Sequence, residues 1–90
     1  MNKYLVEFLG SMSIVYVVLA TGNWVAIGLV IAIAVLLGGP ISGGVYNPAL
    51  AIALYTAGKI PKPELIPYCI VEILGALAGF YAYKQVVNKA

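Results

Sequence analysis

The stretch "SGGVYNPAL", Ser42 to Leu50, interrupts a chain that is apolar on both sides of it. Two glycines, a tyrosine, an asparagine and a proline stand where a hydrophobic run would otherwise continue. Asn47-Pro48 is a helix-start signal. Asparagine caps free backbone N–H groups, and proline at the first helical position has no N–H to lose. The apolar run then resumes over Pro48 to Ala57, "PALAIALYTA", about half of the roughly 20 residues that cross a bilayer. Gly43 and Gly44 permit a tight, extended approach that turns backbone carbonyls outward. The combination predicts a strip of acceptors leading to the positive end of a short helix. Lipid does not tolerate exposed irregular backbone, so such a segment must be buried in protein or line a wet cavity. A re-entrant loop with a half-helix, over about residues 40–57, meets that condition.

The flanking sequence supplies the spans. "YLVEFLGSMSIVYVVLAT", about 4–21, is long enough to cross a bilayer, and "TGN" after it makes a tight turn. "WVAIGLVIAIAVLLGG", about 24–39, is slightly short at roughly 1.5 Å per residue. A third span runs over about 64–87, with Pro67 expected in its first turn, where a missing N–H costs little. "GKIPKPE" returns the chain to water before it. The whole of 1–90 reads as a single unit without a linker or low-complexity tail. The opening run is read as a span rather than a cleaved leader, because it is long and carries Glu7. Tyr4, Trp24, Tyr68, Tyr81 and Tyr83 lie near span ends and are expected in the interfacial belts.

Composition narrows the function classes. The chain has 90 residues, 63% hydrophobic and 9% charged, with mean hydropathy +1.04. So small a domain has too much surface for that composition to be stable in water. An integral, multi-pass membrane protein is expected, in a plasma or inner membrane. Arg, Asp and His are absent from the sequence, and the acids are Glu7, Glu64 and Glu72. No general-base histidine and no metal cluster can be assembled, so an enzyme, a metal site and a cofactor are all unexpected. The net charge of +2 is too small and scattered for a nucleic-acid partner. Cys69 has no internal disulfide partner.

At this point the motifs resemble a known family. "ISGGVYNPALAIAL" is similar to the signature loop of the aquaporins and aquaglyceroporins, whose hallmark is Asn-Pro-Ala. "VEFLGS" resembles the Glu-x-x-Gly-Thr pattern of the family's first helix, and "VEILGALAG" the Gln-x-x-Gly-Ala segment of its third. The resemblance covers about Tyr4 to Tyr83, which corresponds to one of the two inverted repeats of a family member. It implies an all-α membrane fold of three spans plus one re-entrant half-helix, half of an aquaporin-like fold. It also implies a passive channel for water or small neutral solutes such as glycerol, urea, ammonia or gases. A single half-helix closes no pore, so the expected partner is a second, antiparallel copy related by a two-fold axis in the membrane plane. Lys3, Lys59 and Lys62 fall on one side and Lys84 and Lys89 on the other, a weak bias suited to dual topology. By analogy with the family, four such dimers form the full assembly.

The resemblance also assigns roles. Asn47, Pro48 and Ala49 form the pore motif, with the Asn47 amide donating to a permeating water. Glu7 and Glu72 brace the loop. Glu72 stands where the family usually has Gln, so it is either protonated or an acceptor for a loop N–H. Gly10, Gly75 and Gly79 are helix-packing positions, Gly75 and Gly79 forming a small-xxx-small pair. Pro40 and Val45 replace frequent histidines. By spacing, the constriction falls to Ile27, Val35, Leu50 and the Gly44 carbonyl, and Leu50 stands where a water-selective member has Arg. Such apolar collars predict poor selection for water, or slow permeation by dewetting if they are narrow. Two other readings keep the same residues. One is a non-conducting or assembly subunit derived from an aquaporin half. The other is a small proton-coupled exporter using Glu7, whose mechanism has no need of a capped half-helix.

Overall fold

The computed structural model describes residues 1–87, and Lys89 lies outside them. Four helices follow in order: α1 (Lys3–Thr21), α2 (Trp24–Ser42), α3 (Pro48–Thr56) and α4 (Lys62–Val86). α1, α2 and α4 are each long and apolar enough to cross a membrane. α3 has nine residues, roughly 13 Å at 1.5 Å per residue, which is less than half of a hydrocarbon core.

The helix ends follow from local chemistry. The side chains of Asn2, Asn23 and Asn47 each accept two backbone N–H groups at the start of α1, α2 and α3. Gly22 and Gly43 close α1 and α2 in the left-handed conformation, which glycine adopts at no steric cost. α2 runs to Ser42, three residues beyond the expected 39, and carries Pro40 within it. Pro40 removes one intrahelical hydrogen bond, but the turn survives because the Gly43 N–H still reaches the Gly39 carbonyl at 2.9 Å. α4 starts at Lys62, so Pro67 sits beyond the first turn, inside the helix.

α1 is the central element. It packs against both α2 and α4, while α3 packs against α4. Lys3 pairs with Glu64 at 2.7 Å, and the Tyr4 and Tyr68 rings meet edge to face at 5.5 Å. The starts of α1 and α4 therefore lie together and the two helices run parallel. Their close approach depends on Gly75 and Gly79. A Cβ on Gly75 would collide with the Phe8 carbonyl, and one on Gly79 with the Met12 carbonyl. Without side chains there, backbone packs on backbone, as helix pairs in membranes require. Elsewhere α2 is bare: Leu29, Leu36 and Leu37 are all more than half exposed.

Candidate functional site

The segment between α2 and α3 is short and strongly curved. Gly43 has φ 89°, Gly44 φ 62° and Tyr46 φ 57°. The expected extended approach is therefore replaced by a run of left-handed residues. Such a path suits the two glycines, and Tyr46 adopts it at a steric cost.

Glu7 holds this segment from α1. It is fully buried. Its Oε1 accepts the Tyr46 N–H at 2.8 Å, and its Oε2 accepts the Val45 N–H at 3.1 Å and the Ser42 hydroxyl at 2.6 Å. Ser42 Oγ in turn accepts the Gly44 N–H at 3.2 Å. The remaining ties come from α4 and α1: the Tyr68 hydroxyl donates to the Ser42 carbonyl at 2.8 Å, and the Ser11 hydroxyl to the Tyr46 carbonyl at 3.2 Å. The N–H groups of Gly44, Val45 and Tyr46 are thus directed inward, while that of Gly43 closes α2 on the Gly39 carbonyl. Among the described residues, no hydrogen bond engages the carbonyls of Gly43, Gly44 or Val45.

Two of these features go beyond the sequence reading. Tyr68, expected in an interfacial belt, is 4% exposed and lies in the core cluster with Val45, Ala51 and Ile60. Its signal was weak because an aromatic near a span end reads the same whether it points to lipid or inward. Tyr46 fills a slot between Gly10 and Gly38, where a Cβ on either glycine would overlap its ring or hydroxyl. Its hydroxyl donates to the Ala34 carbonyl at 2.6 Å. Gly10, read as a helix-packing position, therefore makes room for a loop side chain rather than for another helix.

Asn47 ends the segment as the N-cap of α3 and is exposed. Its Oδ1 accepts the Ala49 N–H at 2.8 Å and the Leu50 N–H at 3.5 Å. With Oδ1 committed to the cap, the Nδ2 amide is left as the donor at the positive end of α3. Pro48 is the first residue of α3, and Ala49 is exposed beside it. Leu50 is 45% and Val35 43% exposed, and Ile27 is half-buried. Gly44 is buried against the backbone of Val35 and Gly39, which places the loop directly on α2.

Glu72 is beside Glu7 but does not brace the loop. Neither of its carboxyl oxygens has a hydrogen-bond partner among the described residues. The reason is positional, since Glu7 already occupies the Val45 and Tyr46 N–H groups. An apolar groove of about 360 Å³ runs between α1 and α2, lined among others by Val6, Leu9, Val30, Leu37 and Tyr46. Asn47 and the four residues expected at the constriction do not line it. Among the described residues no cluster of three or more His, Cys, Asp or Glu side chains is placed to hold a metal.

The family model described as "Major intrinsic protein" matches residues 1–90. The chain is 38% identical over 97 residues to "Glycerol uptake facilitator protein-like 6" of Lactiplantibacillus plantarum, covering 98% of this chain and 45% of that protein. It is 41% identical over 68 residues to "Aquaporin AqpM" of Methanothermobacter marburgensis, covering 71% of this chain and 28% of the relative. Against "Aquaporin Z" of Brucella melitensis it is 34% identical over 94 residues, 88% of this chain and 41% of the relative. The chain thus spans less than half the length of each of these relatives. No solved structure matches it significantly.

Proposed function

From the premise that this chain belongs to the major intrinsic protein family, we propose that two copies of it, inverted in the bilayer, enclose one channel for water or small neutral solutes. The observation that carries this reading is the polarity of the 42–47 segment. The N–H groups of Gly44, Val45 and Tyr46 are bound inward to Ser42 and Glu7, while three successive carbonyls and the Asn47 amide are left for another partner. At membrane depth that partner is a polar molecule passing by, since unsatisfied backbone against lipid costs several kcal/mol per group.

In this arrangement the segment is re-entrant and α3 descends only half the membrane. Its positive N-terminal end lies mid-membrane, where it repels cations and offers donors to a neutral solute. Each copy contributes three spans, and the second copy covers the exposed faces of α2 and α3. The two Asn47 amides approach each other near the two-fold axis, with Pro48 and Ala49 of each copy in contact. Ile27, Val35 and Leu50 form an apolar collar that recurs at both ends of the pore. With no arginine in the sequence, the collar has no fixed positive charge to favour water. The proposed solutes therefore extend to glycerol, urea, ammonia and dissolved gases. The relatives carry names of both kinds, a glycerol uptake facilitator and aquaporins. A tetramer of such dimers, in a plasma or inner membrane, completes the proposed assembly.

The test is stopped-flow light scattering on liposomes containing the purified full chain, challenged in turn with sucrose, glycerol and urea. The expected result is faster volume relaxation than empty vesicles for at least one neutral permeant. No acceleration with any of them, from dimers shown to be intact, refutes the channel and favours a non-conducting subunit, a reading that the apolar Ile27, Val35 and Leu50 would then explain.

A further inference from the structure

Glu72 is 1% exposed, and both of its carboxyl oxygens lack an N–H or O–H donor among the described residues. Glu72 lies one turn before Gly75, whose backbone packs on Phe8, the residue next to Glu7, so the group it meets is the carboxyl of Glu7, itself fully buried. Two ionised carboxylates in contact away from water repel far more strongly than at a surface. A carboxylate only accepts, whereas a carboxylic acid carries one O–H donor. Only a shared proton turns this contact into a bond.

The surroundings say which oxygen carries it. Glu7 receives two backbone N–H groups and one hydroxyl, an environment built for an anion. Glu72 receives none. The other ionisable groups packed on the loop or on its core cluster are Tyr4 on α1, Tyr46 in the loop, Tyr55 on α3, and Tyr68 and Cys69 on α4, and α2 carries none. The Tyr46 and Tyr68 hydroxyls are spent on the Ala34 and Ser42 carbonyls. Lys3, the nearest lysine in sequence to Glu7, is paired with Glu64. Among the described residues, no lysine forms an ion pair with Glu7 or Glu72.

We propose that Glu72 is held as a carboxylic acid whose O–H donates to the Glu7 carboxylate, so that the loop rests on an acid–carboxylate pair reaching from α4 through α1 to Val45 and Tyr46. The proton belongs to the resting structure, and the pair is a proton site independent of whether the chain conducts. Glu72 is a positioning residue: it acts on the loop only through Glu7.

The test is infrared spectroscopy of the purified full chain in lipid at neutral pH. It should show the carbonyl stretch of one protonated carboxyl per chain, shifted in deuterated buffer and lost in Glu72→Gln. Hydrogen exchange supplies the second readout. Gln keeps an N–H donor for Glu7, so protection of the Val45 and Tyr46 amides survives in Glu72→Gln. It falls at least about tenfold in Glu72→Leu, the effect of one hydrogen bond to a charged group. Absence of the carboxyl band in the wild-type chain overturns the proposal, as does a band that persists unchanged in Glu72→Gln. Thermal stability that rises with sodium or potassium concentration in the wild-type chain but not in Glu72→Gln also overturns it, because a metal ion would then occupy the place assigned to the proton.

Discussion

Replacing Glu7 by alanine removes the acceptor of three hydrogen bonds at once. The Ser42 hydroxyl has a second acceptor, the Gly38 carbonyl at 3.3 Å, and can turn to it. The Val45 and Tyr46 N–H groups have no alternative among the described residues. An orphaned buried donor costs about 1–3 kcal/mol, so two cost roughly 2–6. Tyr46 is only half-buried, which puts the expected loss near 3 kcal/mol. At about 1.4 kcal/mol per factor of ten, the loop should open roughly a hundredfold more often. Hydrogen exchange of the Val45 and Tyr46 amides in detergent micelles reads this directly, with amides in the middle of α1 as the internal reference. Glu7→Gln, which keeps one acceptor oxygen, should lose about half as much on the free-energy scale. If both amides in Glu7→Ala exchange within about a factor of two of wild type, Glu7 does not hold the loop and the account of the site is wrong.

Gly75→Leu drives a side chain into the Phe8 carbonyl, and such overpacking should lower stability to denaturation in mixed micelles by about 1–3 kcal/mol. Wild-type stability in this variant would mean that α1 and α4 are not in backbone contact at this point. Tyr68→Phe removes the bond to the Ser42 carbonyl and should cost about 1 kcal/mol, read by the same denaturation. No loss would place Tyr68 in the lipid interface after all. Asn47→Asp keeps an oxygen cap on the Ala49 and Leu50 N–H groups but replaces the amide donor by a charge. Proton or cation leak into liposomes loaded with a pH-sensitive dye should rise, and an unchanged leak removes Asn47 from the permeation path.

What could be read from the sequence differs by element. The three apolar helices were legible because length and hydropathy alone define them, and α3 because Asn-Pro states its own start. α2 runs three residues past the expected 39, through Pro40. A proline near a helix end removes one bond, and Gly43 lies far enough on for the last turn to close around it. The left-handed loop path was hidden behind Tyr46, a residue type that gives no warning of positive φ. Its slot requires Gly10, Gly38 and the loop to come together from three elements, and no local pattern records that. Glu7 stood out as a carboxylate inside an apolar span, but its partners are backbone N–H groups, which carry no side-chain signature. The resemblance gave Glu72 the same bracing role as Glu7. The structure separates them, because Glu7 takes the Val45 and Tyr46 N–H groups and Glu72 takes none.

The inverted pairing of two chains is open to one direct measurement. A single cysteine is placed at the exposed end of α1 by Thr21→Cys in a Cys69→Ser background, and sealed vesicles are treated with a membrane-impermeant maleimide. The dimer is then covalently fixed by an amine cross-linker and weighed intact by mass spectrometry. Antiparallel copies put the two Thr21 positions on opposite sides of the bilayer, so each dimer should carry one label. Dimers carrying two labels or none would mean that both copies point the same way, and the pore proposed around Asn47 would not exist.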